Sequence, residues 1–147
     1  MCLRVALLTC CVKVSRYHDG IDGLTIADFL LIAEAILDID AERLAEVIDL
    51  NSAESALAAP FAGVGDTDVY PNPAHKAAIL CSRIVRNHPL IDGNKRVAYI
   101  AMRELLVRNG HEWIRPDDDE AAEMVERLAA RDISEEQFAA WVTEHVT

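Results

Sequence analysis

The sequence predicts an all-α fold: one compact domain of about six or seven helices with a single small β-hairpin. Apolar residues recur at three- and four-residue spacing through most of the chain, as they do on helices with one buried face. Capping residues stand immediately ahead of several of those runs. Only Pro60 to Tyr70 lacks the helical period while carrying the turn glycines Gly63 and Gly65. With 147 residues, 52% of them hydrophobic, the chain is one domain by size and has the material for its own core.

Residues 1–23 read as an extension and residues 24–147 as the domain. Met1 to Val14 holds an apolar run, Val5 to Val12, that is short for a signal peptide and precedes no small-residue cleavage site. An edge strand, a disordered extension or a misassigned start fits it better. Ser15 to Gly23, with His18, Asp19, Gly20, Asp22 and Gly23, has turn chemistry and reads as a linker. Thr25 with Asp28 makes an N-terminal cap for a helix whose apolar face is Ile26, Phe29, Leu30, Ala33, Ile36 and Leu37. A second helix is expected from Ala41 to Leu50 with Leu44, Val47 and Ile48 inward, and one or two further turns from Ser52 to Ala59.

Pro60 to Tyr70 follows as a short hairpin or mobile loop. Asn72 caps and Pro73 opens the next helix, which buries Ala77, Ala78, Leu80, Cys81, Ile84 and Val85 and ends before Pro89. Another helix opens at Asn94, runs through Tyr99, Met102, Leu105 and Leu106, and stops at Gly110. His111 to Ile114 is a short extended stretch. Asp117 to Glu120 puts negative charge where a helix dipole prefers it, so capping explains that run better than a metal site. Ser134 and Gln137 form a capping box for the last helix, which presents Phe138, Trp141 and Val142.

Charge and cysteines exclude several classes. A net charge of −11 argues against a general nucleic-acid binder. Between Lys76 and Arg108 seven basic residues face two acidic ones, so this stretch is +5 and the remainder −16. Such an island suits a small anionic ligand better than a polymer. No run of eighteen apolar residues spans a membrane. Cys2, Cys10, Cys11 and Cys81 have no CxxC spacing, Cys81 reads as a small core residue, and the pattern fits a reducing, cytoplasmic compartment. His18, His75, His111 and His145 lack metal-ligand spacing to one another.

Chemistry concentrates in Asn87-His88-Pro89-Leu90-Ile91-Asp92-Gly93-Asn94-Lys95-Arg96, a tight loop feeding a helix N-terminus. Exposed amides and a partial positive charge at such a terminus favour acidic side chains, yet this helix begins with Lys95 and Arg96. The arrangement becomes favourable when an anion covers the turn, which makes it a candidate phosphate cradle. His88 is a candidate base and Asp92 a carboxylate able to hold Mg²⁺. Read from spacing alone, a plain alternative stands beside this one: Asp92 or Asn94 caps a helix, Gly93 makes the turn, and the cations are solvated. The loop is neither a Walker A nor a dinucleotide motif, having one glycine and no strand before it.

The nine residues His88 to Arg96 resemble the signature of the Fic/Doc family. Its Fic branch reads His, any residue, Phe, any residue, Asp or Glu, Gly, Asn, Gly, Arg, and its Doc branch has Lys where Fic has the second Gly. This chain has Lys95 there. The resemblance runs from about Leu24 to about Trp141 and includes Glu54 to Ala58 and Asp68-Val69-Tyr70-Pro71. It implies a Fic/Doc-like helical domain in which His88 is the general base, Asp92 holds Mg²⁺, amides around Gly93 and Asn94 cradle phosphates, and Arg96 neutralises charge on the transferred group. Lys95 would turn the γ-phosphate of ATP toward the acceptor. The implied activity is a Doc-type kinase acting on a threonine of translation elongation factor Tu, which arrests translation.

The same resemblance implies that Pro60, Gly63, Gly65 and Tyr70 belong to a flap that pairs with the target by strand addition. The chain lacks the self-inhibitory helix pattern of Fic proteins, which implies control by a Phd-like antitoxin segment folding onto an apolar groove. Two positions depart from the family pattern: Leu90 stands in place of the usual Phe, and Ile100 stands where some Doc members have a polar residue. A Fic-type adenylyltransferase and a non-catalytic helical interaction module are the competing readings.

Overall fold

Local capping chemistry sets most of the element boundaries. The computed structural model describes residues 17–18 and 20–147; the expectations for Met1 to Val14, and for Cys2, Cys10 and Cys11, lie outside the described residues. In chain order the elements are β1 (Tyr17–His18), β2 (Ile21–Asp22), α1 (Ile26–Leu37), α2 (Ala41–Val47), α3 (Leu50–Ala58), a 3-10 turn (Ala59–Phe61), β3 (Gly63–Val64), β4 (Thr67–Asp68), α4 (Pro73–Asn87), α5 (Asn94–Arg108), α6 (Asp118–Ala130) and α7 (Glu135–Glu144). The fold is all-α, as expected. It carries two small antiparallel hairpins among the described residues where one was expected.

The second hairpin, β1–β2, lies in the stretch read as a linker. It is tied to the domain by Asn109, whose Oδ1 accepts from Asp22 N–H at 2.7 Å while its Nδ2 donates to Asp22 C=O at 3.0 Å. A further correction concerns the helix expected over Ala41 to Leu50. Asp49 breaks it by accepting from Ser52 N–H at 3.1 Å and capping α3, so α2 ends at Val47 and Val47 is exposed rather than inward. A residue whose side chain bonds the backbone locally offers the chain an alternative to helix propagation. The capping boxes at Thr25/Asp28 and Ser134/Gln137 and the cap at Asn72 form as read. Asp117 caps α6, and no three His, Cys, Asp or Glu among the described residues are grouped to hold a metal. The stretch after α5 pairs Trp113 with Val146.

α4 is central. It packs against α5, α7, α3 and the 3-10 turn, and ten of its residues are buried. Its flanks explain the arrangement: Leu80, Ile84 and Val85 meet the core that holds Phe29, Met102, Leu106 and Phe138. Each such side chain contributes roughly 1.5–3 kcal/mol by leaving water. Cys81 lies in this core, where burial pushes its thiol far above the ordinary value and leaves it unreactive. No helix among the described residues is long and apolar enough to cross a membrane.

A charged tie joins α1 to α5. Asp28 Oδ2 accepts from Arg108 Nη1 at 2.8 Å and from Thr25 N–H at 2.8 Å. Burial alone would raise its carboxyl, but the bonds from Arg108 and Thr25 and the nearby guanidinium outweigh burial and hold it below the usual carboxylate range. A depressed native value means that the stabilisation is complete above the unfolded-state value and is lost as pH falls through the native one. Asp28→Asn is therefore expected to flatten the fall in thermal midpoint below about pH 4, read from melts between about pH 6 and about pH 3. An unchanged acid slope would assign the acid sensitivity to other groups.

Candidate active site

The site is built from the end of one helix, a loop and the start of the next. His88 closes α4 in the left-handed region (φ 49°, ψ 53°), with its N–H donating to Ile84 C=O at 3.2 Å. Pro89, which disfavours helix for the residue before it, follows at once. Leu90, in the place of the usual Phe, is buried and anchors the loop in the core. Asn94 clamps it there: its Oδ1 accepts from Leu90 N–H at 3.0 Å and its Nδ2 donates to Leu90 C=O at 2.8 Å. Asn94 is 5% exposed, so its side chain shapes the loop and only its backbone N–H is left to meet a ligand. Asp49 N–H, at the break between α2 and α3, donates to Pro89 C=O at 2.9 Å and steadies the loop from outside.

That clamp also orients His88. With both ends of the Asn94 amide committed to Leu90, its Nδ2 stands 3.3 Å from His88 Nδ1. An N–H there pairs only with a ring lone pair, so the neutral imidazole carries its proton on Nε2 and its lone pair on Nδ1.

Gly93 turns the chain into α5 at φ 75°, a conformation that costs glycine little. It supplies no cap. Each of the other six described α-helices has a side chain accepting from its first turn, namely Thr25, Asp40, Asp49, Asn72, Asp117 and Ser134. α5 has none, and its first turn holds Lys95 and Arg96. The amides of Asn94, Lys95 and Arg96 thus open outward without an intrahelical acceptor. Asp92 Oδ1 takes the Gly93 N–H at 2.7 Å, and no described bond reaches its second oxygen.

His88, Asp92, Gly93, Asn94, Lys95 and Arg96 line one cavity of about 480 Å³. The loop and helix terminus thus bring the expected groups together on a single concave surface. The far wall is α6, with Ala121, Ala122 and Val125 apolar and Asp118 and Glu126 acidic, and Tyr99 stands between. Sequence spacing carries no signal for this wall, which lies some thirty residues along the chain and joins the site only through packing. Lys95 Nζ reaches Glu126 at 3.9 Å across the opening, with both side chains more than half exposed. Such a pair is worth at most about 1 kcal/mol and yields readily to a stronger anion.

The basic island resolves into two groups. Lys76 pairs with Asp68, Arg83 and Arg86 with Glu135, and Arg108 with Asp28, while Arg103 lies over the Tyr99 ring. Those five serve the fold. Lys95 and Arg96 are the two that line the cavity, and Arg96 makes no ion pair among the described residues.

The expected flap is a real hairpin, Gly63↔Asp68 and Val64↔Thr67, turning through Gly65 at φ 62°. Pro60, Gly63, Gly65 and Tyr70 line neither cavity beside the motif loop. Pro60 is buried at the hairpin base, and Tyr70 packs its ring 5.1 Å from that of His75. Behind the loop a second concavity of about 520 Å³ runs between Leu37, Ile39, Leu44, Val47, Leu90 and Ile91, with Arg43, Asp92 and Arg96 on its rim.

A central helix, an uncapped turn and a histidine facing the same cavity make up the arrangement that the resemblance of His88 to Arg96 implies. The model of the Fic/DOC family matches residues 24–106, more than half of the chain, and the chain belongs to that family. It is 38% identical over 96 residues to Toxin Doc of Mycolicibacterium smegmatis (strain ATCC 700084 / mc(2)155), a match covering 65% of this chain and 74% of that protein. No solved structure matches it.

Proposed function

We propose that the chain is the toxin of a toxin–antitoxin pair and acts in the cytoplasm as an ATP-dependent protein kinase. Its target is a threonine hydroxyl of translation elongation factor Tu, and the result is arrested translation. One observation carries the reading: α5 lacks a cap, begins with two cations, and opens on the cavity that His88 and Asp92 share. A phosphate chain supplies the missing acceptor for the amides and the missing charge for Lys95 and Arg96.

His88 takes the proton of the attacking hydroxyl on Nδ1, replacing the long bond from Asn94. The new bond joins threonine oxygen to the γ-phosphorus, the bond from phosphorus to the bridging oxygen breaks, and ADP leaves. Arg96 neutralises charge on the transferred group as it develops. Lys95, in the place of the Fic glycine, presents the γ-phosphate rather than the α-phosphate. Asp92 fits Mg²⁺ as a partial site only, offering one carboxylate with an uncommitted oxygen where such ions are held largely by phosphates and water. When bound, Mg²⁺ supplies charge neutralisation between the phosphates.

A Phd-like antitoxin segment is expected to cover the apolar concavity behind the loop, where it would sit beside Asp92 and Arg96. Incubation of the purified protein with elongation factor Tu and ATP labelled at either the α or the γ position separates the readings. The kinase transfers only the γ label. Transfer of the α label alone makes the chain an adenylyltransferase, and transfer of neither leaves a non-catalytic module.

A further inference from the structure

Lys76 is fully buried, an unusual place for an ammonium. It sits in the first turn of α4, where the helix dipole also disfavours a cation. Among the described residues, everything that compensates it belongs to the hairpin segment. Nζ donates to Pro60 C=O at 3.2 Å on the incoming arm and to Asp68 Oδ2 at 2.7 Å on the returning arm, and it lies 5.2 Å over the Phe61 ring. The Asp68 side chain is itself only 6% exposed.

Packing alone gives no reason for this charge. A buried ion pair seldom stabilises a fold more than apolar residues of the same size, whereas it does impose one geometry on the groups it joins. The hairpin needs such a constraint. Each strand has two residues, Val64 at the tip is 77% exposed, and two-stranded hairpins are marginal on their own. Beyond the ladder, a backbone bond from Val69 N–H to Ala62 C=O at 3.0 Å closes the neck, within two residues along the chain of the ammonium's two partners.

We propose that Lys76 is a positioning residue that staples both arms of the β3–β4 hairpin to α4 and so holds its exposed tip in the register that receives the acceptor polypeptide. This rests on the proposed function in taking the hairpin as the acceptor's docking edge. Since no hairpin residue lines the nucleotide-sized cavity, the staple acts on the acceptor and leaves the phosphate donor alone.

Lys76→Met removes the charge but leaves the Asp68 carboxylate buried without the ammonium beside it, which can unfold the protein. The double variant Lys76→Met/Asp68→Leu replaces the pair by apolar side chains and keeps the site filled. Expected for the double variant is amide exchange at Val69 at least about tenfold faster, with α4 and α5 as protected as in the wild type. Expected too is a KM for elongation factor Tu raised about tenfold, with kcat and the KM for ATP within about twofold. Unchanged exchange at Val69, an unchanged acceptor KM, or a parallel loss of ATP binding overturns the proposal. If the wild type transfers no phosphate to elongation factor Tu, the proposed function fails; the exchange at Val69 then decides the staple alone, faster exchange supporting it and unchanged exchange sinking it.

Discussion

Replacing His88 by asparagine is expected to lower phosphate transfer by about 10²- to 10⁴-fold, the usual worth of a positioned general base. Asparagine is the informative choice because His88 sits at φ 49°, where asparagine is tolerated and alanine is strained. The substituted amide can still accept from Asn94, so loop and cavity persist while the basic lone pair is lost. ATP affinity should stay within about twofold, and growth arrest should disappear. Transfer reduced by less than about tenfold would show that the proton leaves by another route.

Gly93→Ala attacks the cradle itself. The residue sits at φ 75°, where an L side chain costs about 1 kcal/mol or more, and a Cβ placed there would collide with Leu37 Cδ2 at the end of α1. Either Leu37 turns away or the loop moves, and the loop carries Asp92 and leads into the uncapped amides of α5. A displacement of about 1 Å in a positioning element costs roughly 10²-fold, so transfer should fall by about that factor together with ATP affinity. Stability should drop by about 2 kcal/mol, read as a thermal midpoint lower by roughly 5–10 °C. Trimming the obstacle in Gly93→Ala/Leu37→Ala should recover part of the ATP affinity. Full activity in the single variant would mean that the turn plays no part in holding phosphate.

Much of the fold was legible because its signals are local. Thr25/Asp28, Asn72/Pro73 and Ser134/Gln137 satisfy the orphan amides of their own helices, and those boundaries form where the residues place them. The break at Asp49 was missed because the apolar run from Leu44 to Leu50 continues past it with helical period. There a single side-chain bond outweighs propensity, and contact of Asp49 N–H with the motif loop fixes the result. Lys76 was counted in the anion-binding island for the opposite reason. Its charge is visible in the sequence, and only the return of the hairpin over α4 buries it and pairs it with Asp68.

What the chain determined by itself is the place of the turn: a helix end before Pro89, a glycine at Gly93 and two cations in the first turn of α5 all lie within nine residues. Spacing of that kind specifies its own backbone, because each conformation depends on the residue that adopts it and on its immediate neighbours. Tertiary structure alone decided which cations remain for a ligand and what faces them. Ion pairs to Glu135, Asp28 and Asp68 withdraw four basic residues of the island into the fold, and packing of α6 across α5 supplies the opposite wall of the cavity. Those partners are distant in sequence, and Coulombic pairing and burial depend on proximity in space rather than along the chain.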